Sequence, residues 1–547
     1  MKKTILFILY SIFALMMSAV PAKRERHILK LADGSTIEAT AMGDESLHFY
    51  QTDDGQCLLC DSLDIAHFVA PQVIQERWEA KRAKRQAFRT RRNAGRQQNV
   101  RNRMSGSKRG LVILVQFPDV PFYYSKETFE SFFNENGYRD DINKGSVHDY
   151  FYDASYRLFD FSFDVVGPVT ASHDLSYYGG NNANGDDKYP ATMVAEIVQM
   201  LDDEVDYSNY DWDGDGEIEH IYVIHSGYDE AQSSKRNDIW SHAWTLTEAK
   251  DEGDGNGPVT VDGVRVDSYA TSSELRNKTG TQIAGIGTAC HEFSHCFGLP
   301  DFYDTAGYNF GMNSWDILDY GSYNGNGGTP AGYTSYERMF CGWLDPIELT
   351  NPIAVQDMPA LTAEPVAYIL RNTGKFDEYF LFENRQKGSW DKYLGGHGLL
   401  ILHVDYDSQA WQENTVNTVR SHQRMTIIPA DNSLYSGSLA GDPWPGTSGK
   451  TELSDNSSPS GKFFNANAEG NKLMNHSITE ISETSRGYIS FIFDEEALGL
   501  KANHDAQFMI HNDIFDLSGR KCSKPTKGIY IRRTQDGRIK KFMNYEL

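Results

Sequence analysis

Apolar and polar residues are patterned differently in successive stretches of this chain. Ile5 to Met17 is a largely apolar run behind Lys2 and Lys3, and Ser18-Ala19-Val20-Pro21-Ala22 supplies small residues after it. A secretory signal peptide has that order, so residues 1–22 are assigned to one. From about Leu29 to Phe68, short apolar stretches are separated by turn markers at Asp33-Gly34, Gly43-Asp44 and Asp54-Gly55. This predicts a small strand-rich unit. Leu111-Val112-Ile113-Leu114-Val115 and Ile221-Tyr222-Val223-Ile224 are unbroken apolar runs, the pattern of strands buried on both faces. Helical spacing appears over Ser146–Ser155, Ala191–Leu201 and Thr281–Phe297, the last stopped by Gly298 and Pro300. Beyond residue 350 that spacing fades. Tyr379-Phe380-Leu381-Phe382, Gly398-Leu399-Leu400-Ile401-Leu402 and Tyr488-Ile489-Ser490-Phe491-Ile492-Phe493 alternate with Gly, Asn and Ser turns, which predicts an all-β sandwich.

The pattern therefore predicts a multidomain chain. A signal peptide (1–22) and a propeptide (23–108) precede an α/β catalytic domain (109–350), a β-sandwich domain (351–495) and a short β module (496–547). A chain of 547 residues is too long for one ordinary core, which agrees with that division. Charge sharpens the picture. The net charge of −24 argues against nucleic acid or an anionic membrane as partner. Against this background, thirteen Lys or Arg and a single acid, Glu79, lie between Arg77 and Arg109. Such a polar basic tail is a cleavable junction for an activating protease. Cysteines at 57, 60, 290, 296, 341 and 522 give no disulfide framework, and Cys57 or Cys60 is a candidate metal thiolate in the unprocessed chain. No segment after the signal is apolar enough to span a membrane.

The chemistry lies in Ala289-Cys290-His291-Glu292-Phe293-Ser294-His295-Cys296-Phe297-Gly298-Leu299-Pro300-Asp301. Residues four apart share a helix face, so His291 and His295 can reach one ion. Zinc takes such nitrogen ligands and, in catalytic sites, keeps a position open for water. Glu292, one residue round the helix, is placed to accept the water's proton and pass it to a leaving amine. Asp301 lies six residues past His295, where extended motifs of this type place a third ligand, with Asp304 as the competing carboxylate. Gly298 permits the sharp turn between them. Tyr320, Tyr323, His225 and His242 are candidates to steady an oxyanion, each more readily explained as structural.

His291 to Asp304 resembles the signature of the immune inhibitor A family of secreted bacterial metalloproteases. Leu111–Asp119 resembles that family's first catalytic strand, Trp315–Tyr323 the segment downstream of its metal helix, and Glu383–Gln386 with Gly398–Asp405 its β-rich continuation. The resemblance spans roughly residues 109 to 495. It implies a zincin-like (metzincin-like) catalytic domain and a secreted zinc-dependent endopeptidase, made as a zymogen, acting on extracellular proteins or peptides. The chain departs from the family at Leu318, where a Met usually lies under the metal; a volume-similar apolar exchange there is tolerated.

Two further segments add expectations. Asp211, Asp213, Asp215, Glu217 and Glu219 offer oxygen ligands at alternate positions, with Gly216 sixth, as a structural calcium loop requires. Position twelve is Tyr222, so a full EF-hand is excluded. The tail from Ile514 to Ile531 resembles C-terminal sorting modules of the type IX secretion route, implying an export machinery as partner and a secreted or cell-surface location. The competing function is a surface adhesin or glycan-binding protein whose protease domain has decayed; intact His291, Glu292 and His295 speak against it.

Overall fold

The computed structural model describes residues 20–80 (without 45, 46 and 62), 104–494 (without 183, 184 and 306–308) and four short strands beyond 513. The apolar run of the signal segment and the basic stretch 81–103 lie outside the described residues.

Five strands, β1 (Arg26–Leu31), β2 (Thr36–Asp44), β3 (Leu47–Gln51), β4 (Cys57–Cys60) and β5 (Ile65–Val69), close into a small barrel by parallel pairing of β1 with β5. Closure leaves no edge strand for foreign pairing. Cys57 points into the barrel core, and neither it nor Cys60 belongs to a gathered set of metal-ligating atoms among the described residues. The expectation that either thiol holds the metal is therefore replaced by a different contact, described below.

The next strands are β6 (Gly106–Gln116), β7 (Phe159–Thr170), β8 (Ile221–Tyr228), β9 (His242–Thr245), the hairpin β10 (Val259–Val261) with β11 (Val264–Val266), and β12 (Ser268–Leu275). One sheet runs in the order β7-β6-β8-β12-β9, with only the edge strand β9 antiparallel to its neighbour. The unbroken apolar run of β6 has a physical reason. Val112 and Leu114 face one core, with α1 (Lys126–Asn134), α2 (Val147–Ala154) and the helix that carries His291 and His295. Leu111, Ile113 and Val115 face a second core, with α3 (Pro190–Met200). Both faces are dry, so alternation is absent. α2 is opened by a reciprocal cap between Ser146 and Asp149, and α3 carries Pro190 in its first turn, both favoured starts.

The β-rich part contains β13 (Ile347–Glu348), β14 (Ile353–Met358), β15 (Tyr368–Asn372), β16 (Lys375–Arg385), β17 (Gly398–Asp405), β18 (Met425–Ile427), β19 (Leu453–Ser454), β20 (Ser477–Glu483) and β21 (Ile489–Phe493). They form a five-stranded sheet, β13-β15-β16-β17-β18, and a four-stranded one, β14-β21-β20-β19. Phe380, Phe382, Leu399 and Ile401 enter the core shared with the second sheet. Their neighbours Tyr379, Leu381, Leu400 and Leu402 join the core of Val112 and Leu114 instead. The larger sheet is thus buried on both faces, and residues up to 495 form one compact unit.

The second unit, residues 496–547, contains β22 (Ile514–Phe515), β23 (Lys521–Cys522), β24 (Gly528–Arg533) and β25 (Ile539–Asn544), paired antiparallel in the order β23-β22-β24-β25. Among the described residues no helix is long and apolar enough to cross a membrane.

Candidate metal centre

The helix that carries the motif, α4, spans Ile286–Cys296, and every residue in it is buried. It starts later than the expected Thr281. Residues 281–285 are outside the helix, Ile283 bridges to Leu275, and the Ile286 amide donates to Asn143 Oδ1 at 3.0 Å. Two glycines set how closely the helix start can approach its neighbour. A Cβ on Gly285 would lie 2.3 Å from the Gly327 carbonyl carbon, and one on Gly287 would lie 2.0 Å from Ser322 O. At the other end Gly298 takes φ +91°, a value that a side chain would strain. That turn brings Leu299 O back to accept a hydrogen bond from His295 Nδ1 at 2.8 Å.

The i, i+4 spacing places the His291 and His295 rings 4.8 Å apart. His291 Nδ1 donates to Ile317 O at 2.7 Å, as His295 Nδ1 does to Leu299 O. Both Nε2 atoms are thereby left as bare acceptors, an arrangement that fixes tautomer and orientation in ligating histidines. Burial pushes the His295 imidazole down to about 4, which keeps it neutral. Asp301 Oδ1 lies 3.1 Å from His291 Nε2 and 3.5 Å from His295 Nε2. All three ligand atoms lie within 4.8 Å of one another, and none of them makes a hydrogen bond. Three buried polar atoms abandoned around one point are costly unless a cation joins them. Two neutral nitrogens and one carboxylate oxygen are a donor set that zinc accepts.

Asp304 is not among these atoms; its Oδ2 accepts the Asn309 amide at 2.9 Å. Leu318 is fully buried in the turn below the site, and its carbonyl accepts the Phe302 amide at 2.8 Å. His242 is engaged by Trp240 O and the Tyr269 hydroxyl, and His225 Nδ1 by Ser226 O. Two contributors carry no sequence signal. Asn414 donates from Nδ2 to Asp301 Oδ2 at 2.6 Å and accepts the Asp301 amide at 2.8 Å. It is 113 residues away, and a lone Asn in a loop announces nothing. The other is Trp240, just before the edge strand β9.

The chain itself enters the cleft beside Glu292. The Val20 amide donates to Glu292 Oε1 at 3.2 Å. Val20 O accepts from Trp240 Nε1 at 3.5 Å, and Pro21 O from the Tyr323 hydroxyl at 2.8 Å. Val20 and Ala22 are fully buried, and the Ala22 amide is tied to Gly43 O of the barrel at 2.8 Å. Arg24 stays partly open to solvent, with its guanidinium 4.3 Å above the Tyr320 ring.

In the acidic loop the carboxylates of Asp211, Asp213 and Asp215 gather within 4.8 Å. Asp211 also accepts the Gly214 and Gly216 amides. The structure does not bring Glu217 and Glu219 to them. Glu217 pairs with Arg265 at 2.7 Å, and Glu219 Oε2 accepts the Trp212 amide at 2.6 Å.

Residues 98–343 match the family described as immune inhibitor A peptidase M6, catalytic domain. The chain is 25% identical over 279 residues to the pre-pro-metalloprotease PrtV of Vibrio cholerae serotype O1. It is 26% identical over 274 residues to immune inhibitor A of Bacillus thuringiensis subsp. alesti. Each alignment covers 42% of this chain but only 29% and 39% of those proteins, respectively, so the chain spans well under half the length of the relatives it matches. The family match is to a peptidase catalytic domain, and one of these relatives is named a metalloprotease.

Proposed function

We propose that the chain is a secreted zinc-dependent endopeptidase, made as a zymogen, that hydrolyses peptide bonds of extracellular proteins. The observation that carries this reading is the convergence of His291 Nε2, His295 Nε2 and Asp301 Oδ1 on one point. These three side chains would hold the ion. When bound, zinc supplies Lewis-acid activation of water and of the scissile carbonyl. Glu292 takes the proton of the attacking water and delivers it to the departing amine. The Val20 backbone nitrogen, 3.2 Å from Glu292 Oε1, supports that geometry, because it shows that a main-chain nitrogen can come within proton-transfer distance of this carboxylate.

Latency follows from the same contact. Val20, Pro21 and Ala22 fill the cleft, and the barrel holds them there through Gly43. Cutting the basic stretch between Arg77 and Arg109 frees the barrel and its leading segment. Latency by this contact requires that Val20–Ala22 stay on the exported chain, three residues more than the 23–108 propeptide expected from the sequence, and amino-terminal sequencing of the exported protein reads that directly. Asp211, Asp213 and Asp215 are proposed to hold a structural calcium ion, and the module after residue 495 to direct export to the medium or cell surface.

The deciding experiment pairs zinc content with casein hydrolysis for protein cut in its basic tail. Glu292→Gln is expected to keep stoichiometric zinc and lose about a thousandfold or more in turnover, the upper part of the range that general acid–base catalysis contributes, since one residue serves both proton transfers. His291→Ala is expected to lose the zinc. Casein turnover retained by Glu292→Gln would overturn the mechanism, and uncut protein as active as cut protein would overturn the latency.

A further inference from the structure

We infer that Trp240 and Tyr323 are positioning residues that bind the main chain of a peptide substrate on the leaving-group side of the scissile bond. Val20–Arg24 lies in that track as a substrate-like strap. The inference deepens the endopeptidase reading and rests on Glu292 as the group that protonates the leaving amine.

Direction comes first. The atom against Glu292 is a backbone nitrogen, Val20 N, and the chain runs from it, C-terminally, past Trp240 and Tyr323 toward Tyr320. In a peptide being cut, the segment that begins with the nitrogen receiving Glu292's proton is the leaving segment. The strap thus marks the course such a segment takes. Its first two carbonyls meet side-chain donors, Trp240 Nε1 for Val20 O and the Tyr323 hydroxyl for Pro21 O. These contacts go to main-chain atoms, so any peptide sequence can make them.

Ownership of the donors comes next. The barrel contributes Gly43 and Ala41 to the strap's surroundings, and these depart when the propeptide does. Trp240 and Tyr323 belong to the catalytic unit and stay. Trp240 lies two residues before β9, the edge of the catalytic sheet, and Tyr323 sits in the 320–327 segment against which α4 packs. Once the strap has gone, an indole N–H and a phenol face the cleft beside Glu292, and two successive substrate carbonyls are the partners that restore these bonds. The buried Val20 side chain and the small pocket of Ala22 against Ala231 and Trp240 add a preference for compact apolar residues at the first and third leaving-side positions. The Arg24–Tyr320 contact adds one for a cationic side chain at the fifth.

The test uses full-length protein cut in its basic tail and two peptides identical up to the cleaved bond. One ends in a single amidated residue beyond that bond, the other continues for three residues. Tyr323→Phe is expected to lower kcat/KM about tenfold more for the longer peptide, through KM, because only that peptide has the second carbonyl. Trp240→Phe is expected to raise KM for both. Melting temperatures within a few degrees of the parent exclude a folding defect. Equal loss by Tyr323→Phe on both peptides, or no loss on either, would overturn the inference. A second measurement needs no turnover. The pentapeptide Val-Pro-Ala-Lys-Arg, added to cut Glu292→Gln protein, is expected to change tryptophan fluorescence and to bind about tenfold more weakly once Tyr323→Phe is added. Tyr323-dependent binding, together with a cut parent protein that hydrolyses neither casein nor these peptides, would sink the endopeptidase reading but keep this one. Hydrolysis indifferent to Tyr323 would do the reverse.

Discussion

Asp301 is held on both sides by one amide side chain, and that makes Asn414 as informative as any ligand. Its removal leaves the carboxylate in place but free to turn, so Asn414→Ala is expected to weaken zinc affinity by roughly ten- to a hundredfold while the fold persists. Competition with a chromophoric chelator measures it, and unchanged affinity would show that Asp301 needs no such support. A second buried carboxylate answers to pH. Burial pushes the Glu378 carboxyl up, but the His403 imidazole, the Asn372 amide and the Phe464 N–H outweigh it and hold the group at about 2. A depressed folded pKa contributes stability above the unfolded value near 4.5, and that contribution is lost as pH falls from there toward 2. Glu378→Gln is accordingly expected to cost on the order of a few kcal/mol at pH 7. The gap to the parent should narrow below pH 4.5; urea curves that show a constant gap would contradict the assignment.

At the scale of elements, the metal helix is positioned by what its first turn lacks. Gly285 and Gly287 let α4 touch the backbone of the 320–327 segment, the same segment that carries Tyr320 and Tyr323. A methyl group on Gly287 has backbone, not a yielding side chain, in its way. Gly287→Ala is expected to destabilise by about 1–3 kcal/mol, the usual range for overpacking, and to lower kcat/KM by shifting the helix against the cleft. Thermal melts and peptide kinetics test both halves; a melting point equal to the parent's would mean that the segment moves aside freely. The late start of α4 has the same origin. Periodicity continues back to Thr281, yet the residues before Gly285 pair with the sheet, because tertiary contacts override a local pattern.

At the scale of the whole molecule, the β7-β6-β8-β12-β9 sheet and the β-rich part share one core, and a buried charge joins them. Arg385, fully buried on β16, pairs with Glu383 and Asp391 and donates to the carbonyls of Trp315 and Gly332 near the metal turn. Arg385→Ala strands two buried carboxylates and is expected to cost about 3–5 kcal/mol, seen as a single cooperative unfolding transition at lower denaturant; two separated transitions would show that the parts fold independently. Much of this architecture is legible in residue order. Continuous apolar runs determined that β6, β8 and β17 are covered on both faces, and a spacing of four determined that His291 and His295 share a side of one helix, because both are local periodicities of the backbone. Gly298 and the six-residue offset put Asp301 within reach for the same reason. Tertiary structure alone decided the rest: Asn414 beside Asp301, Arg385 under the metal turn, Trp240 and Tyr323 around the Val20–Ala22 strap. Those partners lie far apart in sequence, and no periodicity encodes a contact that exists only once separate layers have packed.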